Sequence, residues 1–252
     1  MEYLVTLSTI PVRFDDSIYL TIDSFLEQSF KASRIVVNIP KKYSYRFDGE
    51  IPESRINDFK SKYADTNVVV NLIDTDFGPG SGLLGLFSMW DSIHEDYIIL
   101  VDDDHIYKPD MIKGFNKAVV EKGIQAGGYC VSNLYDVFPY VQSSDGTLIR
   151  KDLLNNFMAY YNAIKEEEYF QYEDDYCVSN YLNLKKIEIH HLKIDGIIYE
   201  SGPHAMTPGI ALCKLDRGDC RHRSEVRLKQ RSFFGQKKEE LERIVNNGSS
   251  SK

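Results

Sequence analysis

The chain has 252 residues, 42% of them hydrophobic, and a formal net charge of −8. This is enough apolar material for one large α/β domain or two small ones. The acidic balance excludes binding to nucleic acid through a basic surface, since phosphate neutralisation needs clustered cations.

No apolar run approaches the roughly 20 residues of a membrane span. The stretch from Met1 to Ile10 has no basic segment leading into an apolar core, so no signal peptide is expected. Cys130, Cys177, Cys213 and Cys220 show no CxxC spacing, and free thiols in a reducing, cytoplasmic setting are the expectation. Peripheral membrane association is left open.

Tyr3 to Thr9 reads as a strand, followed by the loop Ser8-Thr9-Ile10-Pro11-Val12-Arg13. Asp15, Asp16 and Ser17 are N-cap candidates for a helix whose apolar stripe is Ile18, Ile22, Phe25 and Leu26. Arg34 to Ile39 is β-branched and stops at Pro40, a second strand. Lys41 to Pro52 reads as loop, Glu53 to Tyr63 as helix, and Asn67 to Ile73 as a third strand. That strand ends in Asp74-Thr75-Asp76-Phe77-Gly78-Pro79-Gly80-Ser81-Gly82, and a helical stripe of Leu83, Leu86, Phe87 and Trp90 follows. The fourth strand, Tyr97 to Val101, is continuously apolar and meets Asp102-Asp103-Asp104. Strand alternation would put Asp102 and Asp104 on one face and turn Asp103 away.

Pro109 suits the first turn of a helix carrying Met111, Ile112, Phe115 and Val119. Ile124 to Val131 reads as a strand with a glycine-rich middle that some other group approaches closely. Leu153 to Ile164 reads as helix, and a further helix runs from an acidic start at Glu173-Asp174-Asp175. Ile187 to Ile194 is strand-like. A basic loop with Lys214, Arg217, Arg221, His222, Arg223 and Arg227 precedes a last helix, Gln236 to Val245. The expected architecture is α/β: a mixed, mainly parallel sheet flanked by helices. It forms one domain over residues 1–245, with a variable second half and a frayed tail (246–252).

Ser8-Thr9, Asn38, Asp74-Asp76 and Asp102-Asp104 all close strands, and right-handed crossovers would bring them to one sheet edge. Two carboxylates about 5 Å apart repel by roughly 3 kcal/mol at an effective dielectric near 20. A hard divalent cation, Mg²⁺ or Mn²⁺, bound between them removes that cost. The alternative is an acidic turn in solvent. Gly78 to Gly82 fits neither a Walker loop nor GxGxxG, and stands equally as a phosphate-facing loop or a tight turn. A carboxylate at Asp174 or Asp175 can be a general base or a helix cap. His222 among arginines can face a diphosphate or a metal, or only solvent. A zinc site from Cys213, Cys220 and His222 lacks a fourth ligand.

The opening loop Ser8–Arg13, the Ser24-Phe25-Leu26-Glu27-Gln28-Ser29 helix end, the Asp102-Asp103-Asp104 triplet after an apolar strand and the later Glu173-Asp174 together resemble nucleotide-sugar glycosyltransferases of the GT-A fold, family-2-like members most closely. The resemblance spans residues 1–185 and implies a nucleotide-sugar-binding half (1–107) and an acceptor-binding half (108–245). It implies a divalent-metal-dependent enzyme, inverting by single displacement, that moves a sugar from a nucleoside-diphosphate sugar to a hydroxyl of a glycan or other acceptor, as in polysaccharide biosynthesis. It further implies that Thr9, Pro11, Arg13 and Asp76 hold the base and ribose, with Asp102 and Asp103 at the donor. Asp104 and Asp102 would hold Mn²⁺ or Mg²⁺, His222 or His204 would complete the metal shell, and Asp174 would be the base, with Asp175 its rival. Alternatives are a sugar nucleotidyltransferase, a DxDx(T/V) phosphatase, or a non-catalytic carbohydrate-binding protein of the same fold. The first lacks a Gly-, Arg- and Lys-rich loop after strand one. The second would place the triplet after its first strand and not its fourth.

Overall fold

The computed structural model describes residues 1–45, 47–133, 138–166, 174–193, 198–203, 205 and 220–247, with the side chains of 220–227 excepted. Strands β1 (Tyr3–Ser8), β2 (Arg34–Pro40), β3 (Val68–Ile73) and β4 (Tyr97–Leu100) are where the apolar runs place them. β1 pairs in parallel with both β2 and β4, and β2 pairs in parallel with β3, so their carboxyl ends share one edge. The sheet continues beyond β4 through β9 (Thr147–Arg150), β6 (Ala126–Gly128) and β10 (Ile189–His191), in the order β10-β6-β9-β4-β1-β2-β3. β9 runs antiparallel to β4 and β6, which makes the sheet mixed but mainly parallel. β9 was not expected; its Thr-Leu-Ile-Arg is too short to show a period.

Burial on both faces explains the apolar strands. Tyr3, Val5, Leu7, Ile35, Val37 and Ile99 point to one side, against α1 (Ser17–Leu26), α2 (Glu53–Lys62) and α4 (Met111–Lys122). The alternate residues Leu4, Val36, Ile98 and Leu100 point to the other side. There they meet α3 (Ser81–Leu84), α5 (Phe157–Ile164), α6 (Asp174–Leu184) and α7 (Cys220–Asn247). Each such side chain contributes about 1.5–3 kcal/mol when fully buried. Asp16 caps α1 by accepting from the Ser17 N–H at 2.5 Å.

The glycine-rich middle of the fifth apolar stretch has a concrete cause. A Cβ on Gly127 would stand 2.5 Å from the His190 carbonyl oxygen of β10, and one on Gly128 would stand 2.7 Å from the Gly146 oxygen.

Three expectations change. α7 begins at Cys220 and not at Gln236, so part of the presumed basic loop is helix; residues 214–219 lie outside the described residues. Only Gln230, Phe234, Leu241 and Val245 are buried among the described side chains of α7, too sparse a stripe to reveal its first half. The helix also continues through Asn246 and Asn247, where a frayed tail was expected. Asn38, counted with the polar strand ends, is fully buried and structural. Its Nδ2 reaches Thr6 Oγ1, the Leu7 carbonyl and the Gly82 carbonyl at 2.9, 3.1 and 3.0 Å, and its Oδ1 accepts from Asn71 Nδ2 at 2.8 Å. It pins the start of α3 to the sheet.

Among the described residues, no helix is long and apolar enough to cross a membrane, and Cys130 and Cys177 are free thiols.

Candidate active site

A cavity of about 330 Å³ opens at the shared carboxyl edge of β1 to β4. Thr9, Arg13, Asp76, Asp102, Asp103, Asp104 and Asp174 all line it. Pro11 does not line it; its carbonyl faces Arg55 Nη2 at 3.5 Å. His204 lies outside the described residues, as do Glu173 and the side chain of His222.

The triplet does not continue the strand. The chain turns after Val101 and enters the short β5 (His105–Tyr107), which pairs antiparallel with β11 (Tyr199–Ser201). The Thr21 hydroxyl holds the turn from below, 2.9 Å from the Asp103 carbonyl and 2.7 Å from that of His105. The Gly202 N–H donates to the Asp104 carbonyl at 2.7 Å.

Because the backbone turns, strand alternation no longer applies, and Asp103 does not face away. Arg13 Nη1 donates to Asp103 Oδ1 and Arg13 Nη2 meets Asp104 Oδ2, each at 2.7 Å. Burial opposes the Arg13 charge, but these carboxylates outweigh it and push its pKa up. The guanidinium expected to face the nucleotide therefore braces the triplet. Asp76 is similarly committed: its Oδ2 accepts from the N–H groups of Ser44 and Tyr45 at 2.8 and 2.9 Å, and its Oδ1 from that of Gly78 at 2.9 Å. Gly78 itself has φ +59°, and a Cβ there would collide with the Tyr45 ring at 2.6 Å. The glycine-rich segment thus supplies a tight turn under an aromatic wall of the cavity.

Asp102, Asp104 and His105 each offer one ligand atom, all within 4.8 Å of one another. His105 was not singled out from the sequence; its signal was adjacency to the triplet. His105 Nδ1 lies 2.6 Å from Asp104 Oδ1, but neither atom has a partner with hydrogen-bond geometry. Asp103 Oδ2 and Thr9 Oγ1 are also buried without a hydrogen-bond partner. Such orphans are costly in a folded protein. Two carboxylate oxygens and an imidazole nitrogen suit Mn²⁺ or Mg²⁺, so the residues fit a divalent cation.

Electrostatics agree. Burial, then the neighbouring Asp104 charge, pushes Asp102 up to about 7, although Ser143 Oγ donates to its Oδ1 at 3.0 Å. Burial also raises Asp103. Burial alone would raise Asp104, but His105 and Arg13 hold it below the usual carboxylate range. His105 is raised against burial by Asp104 and Asp102.

Across the cavity, α6 presents Asp174 and Asp175 at its first turn. Asp175 Oδ1 accepts from the Ser143 N–H at 3.0 Å, and burial raises its pKa well above the ordinary value. Asp174 stands against the glycine-rich turn, its Cβ 3.9 Å from where a Cβ on Gly80 would be.

No protein-family model and no curated protein matches the sequence. Solved structures do match. TarS residues 1–349 from S. aureus superposes with a TM-score of 0.52 at 16% identity, over 80% of this chain and 60% of that one. Longer TarS from the same organism gives 0.50 at 16% identity, over 81% and 37%. A mannosyltransferase from Pyrobaculum calidifontis, solved with GDP-Man and Mn²⁺, gives 0.47 at 13% identity, over 62% and 46%. The chain spans less than two thirds of each of these three structures. With helices on both faces of a mainly parallel sheet, and with the TarS superpositions at 0.50 and 0.52, the chain has the GT-A fold.

Proposed function

We propose that the chain is a divalent-metal-dependent glycosyltransferase that moves a sugar from a nucleoside-diphosphate sugar to an acceptor hydroxyl, inverting at the anomeric carbon. The observation that carries this reading is the cluster of Asp102, Asp104 and His105 within 4.8 Å, on the same cavity as Asp174.

Thr9, Tyr43 and Tyr45 line the cavity at the ends of β1 and β2 and offer polar backbone and aromatic rings to a base and ribose. Asp102, Asp104 and His105 would hold Mn²⁺ or Mg²⁺, which supplies charge stabilisation for the departing diphosphate. Arg13, through Asp103 and Asp104, keeps the ligand oxygens in place before the donor arrives. The acceptor oxygen attacks the anomeric carbon as the carbon–oxygen bond to the diphosphate breaks, and the bonding pair leaves with the diphosphate. Asp174 takes the acceptor proton from the opposite side, as inversion requires. Asp175, already accepting from Ser143, positions the loop that also contacts Asp102. His222 is a further candidate for the metal shell.

The test is a thermal-shift panel of UDP-, GDP- and dTDP-sugars with and without Mn²⁺. One nucleotide should raise the melting temperature only when Mn²⁺ is present, and its sugar donor should be slowly hydrolysed. A panel with no response and no hydrolysis would rule the reading out.

A further inference from the structure

A second cavity, of about 80 Å³, lies between α3, α5 and α6. It joins the first at Tyr45, Asp76 and Asp174, which line both. Its character differs from the first: Phe77, Leu83, Leu84, Phe157 and Val178 give it an apolar side. Phe77 meets Tyr161 edge to face, with ring centroids 5.7 Å apart.

Beyond the shared Tyr45, Asp76 and Asp174, the polar side chains of Tyr161 and Lys165 also line this cavity. Tyr161 and Lys165 are four residues apart at the end of α5, and so share a helix face. Among the described residues, the Tyr161 hydroxyl makes no hydrogen bond and Lys165 makes no ion pair. An exposed lysine at a helix end is ordinary by itself, since it complements the helix dipole. Beside an aromatic wall that leads directly to Asp174, it marks one side of a binding site.

We propose that this second cavity receives the acceptor, and that the acceptor is a sugar ring bearing an anionic group, carboxylate or phosphate. The inference rests on the glycosyltransferase reading above. Aromatic faces suit the C–H face of a pyranose, while Lys165 and Tyr161 offer cation and hydroxyl to the anion. At about 80 Å³ the cavity takes one edge of a ring and leaves the rest at the junction. There a hydroxyl faces Asp174, the group that must remove its proton. The donor is not the better occupant, because the larger cavity already supplies the polar surface a nucleotide diphosphate needs.

The experiment uses the full chain with Mn²⁺ and UDP, and glucuronate, glucose 6-phosphate and glucose as probes, with binding read by saturation-transfer NMR. Donor binding is measured first, without probes: its absence counts against the glycosyltransferase reading and not against this cavity. Either anion, or both, should bind about ten-fold tighter than glucose, the equivalent of about 1.4 kcal/mol. Lys165→Glu should remove that preference, and Tyr161→Ala should weaken all probes, with both variants folded by circular dichroism. Binding by one anion alone names the anion and supports the site. The proposal is overturned if no probe binds, if glucose binds as well as the anions, or if Lys165→Glu keeps the preference. A loss of UDP affinity in Lys165→Glu as large as the loss of anion affinity would assign the cavity to the donor and overturn it as well.

Discussion

Arg13 Nη2 stands 2.7 Å from Asp104 Oδ2, and the two side chains are 13% and 6% exposed. The same guanidinium holds Asp103 through Nη1. One cation from the loop after β1 thus sets two of the three carboxylates that follow β4. Removing one partner of a buried pair leaves the other charge uncompensated, at a cost of about 3–5 kcal/mol. Arg13→Ala should lower stability by that order in urea denaturation. Arg13→Lys, with a point charge but no fork, should recover only part. An Arg13→Ala protein as stable as the parent would remove the brace.

Mn²⁺ should raise the melting temperature of the parent, and Asp104→Ala should abolish the rise. His105→Ala should weaken it, because the imidazole is the third ligand of the cluster. Isothermal titration of Mn²⁺ into each variant gives the affinities directly. Unchanged Mn²⁺ affinity in Asp104→Ala would place the metal elsewhere.

The response to Mn²⁺ should depend on pH. Asp102 titrates near 3.8 when unperturbed and at about 7 in the fold. Between these values the folded protein holds a proton that the unfolded chain has released, so metal-free stability falls as pH rises through that window. A cation at the carboxylate displaces the proton, and its benefit grows as the proton becomes easier to lose. The Mn²⁺-induced rise in melting temperature should therefore be larger at about pH 8 than at about pH 5.5. Equal shifts at both values would show that Asp102 is not the titrating ligand.

Asp174→Asn should keep Mn²⁺-dependent nucleotide binding and lose transfer by about a hundred- to ten-thousand-fold, the usual contribution of a general base. Asp175→Asn should instead act through Ser143, loosening the contact to Asp102 and weakening Mn²⁺ binding. Full transfer activity in Asp174→Asn would move the base to another residue.

Asn38→Ala removes a donor and acceptor serving Thr6, Leu7, Gly82 and Asn71 at once. Buried partners left unsatisfied cost about 1–3 kcal/mol, and the loss should appear as a lower midpoint in urea with an unchanged slope. A neutral result would mean that the start of α3 is held by packing alone.

The parallel half of the sheet was legible because strands buried on both faces must be apolar along their whole length. Helices packed on one side must repeat every three or four residues, and α1, α2 and α4 do. The acidic triplet was legible for the complementary reason: three carboxylates ending an apolar run are out of place unless something at that edge uses them. β9 was hidden, since four residues carry no period and its place between β4 and β6 depends on partners far away in sequence. The early half of α7 was hidden because its described stripe of buried residues is thin.

Within the site, the sequence by itself determined which groups arrive at the sheet edge: parallel strands end there, and their last residues come with them. Tertiary structure decided how those groups divide the work. Strand geometry predicted that Asp103 would turn away, but the chain turns at the triplet, and Arg13 closes on Asp103 and Asp104 together. Asp76 is taken up by the N–H groups of Ser44, Tyr45 and Gly78. His105 enters beside the carboxylates because β5 pairs with β11. A side chain's neighbours across space follow from where the backbone bends and what it packs against, and neither is written in the spacing of residues along the chain.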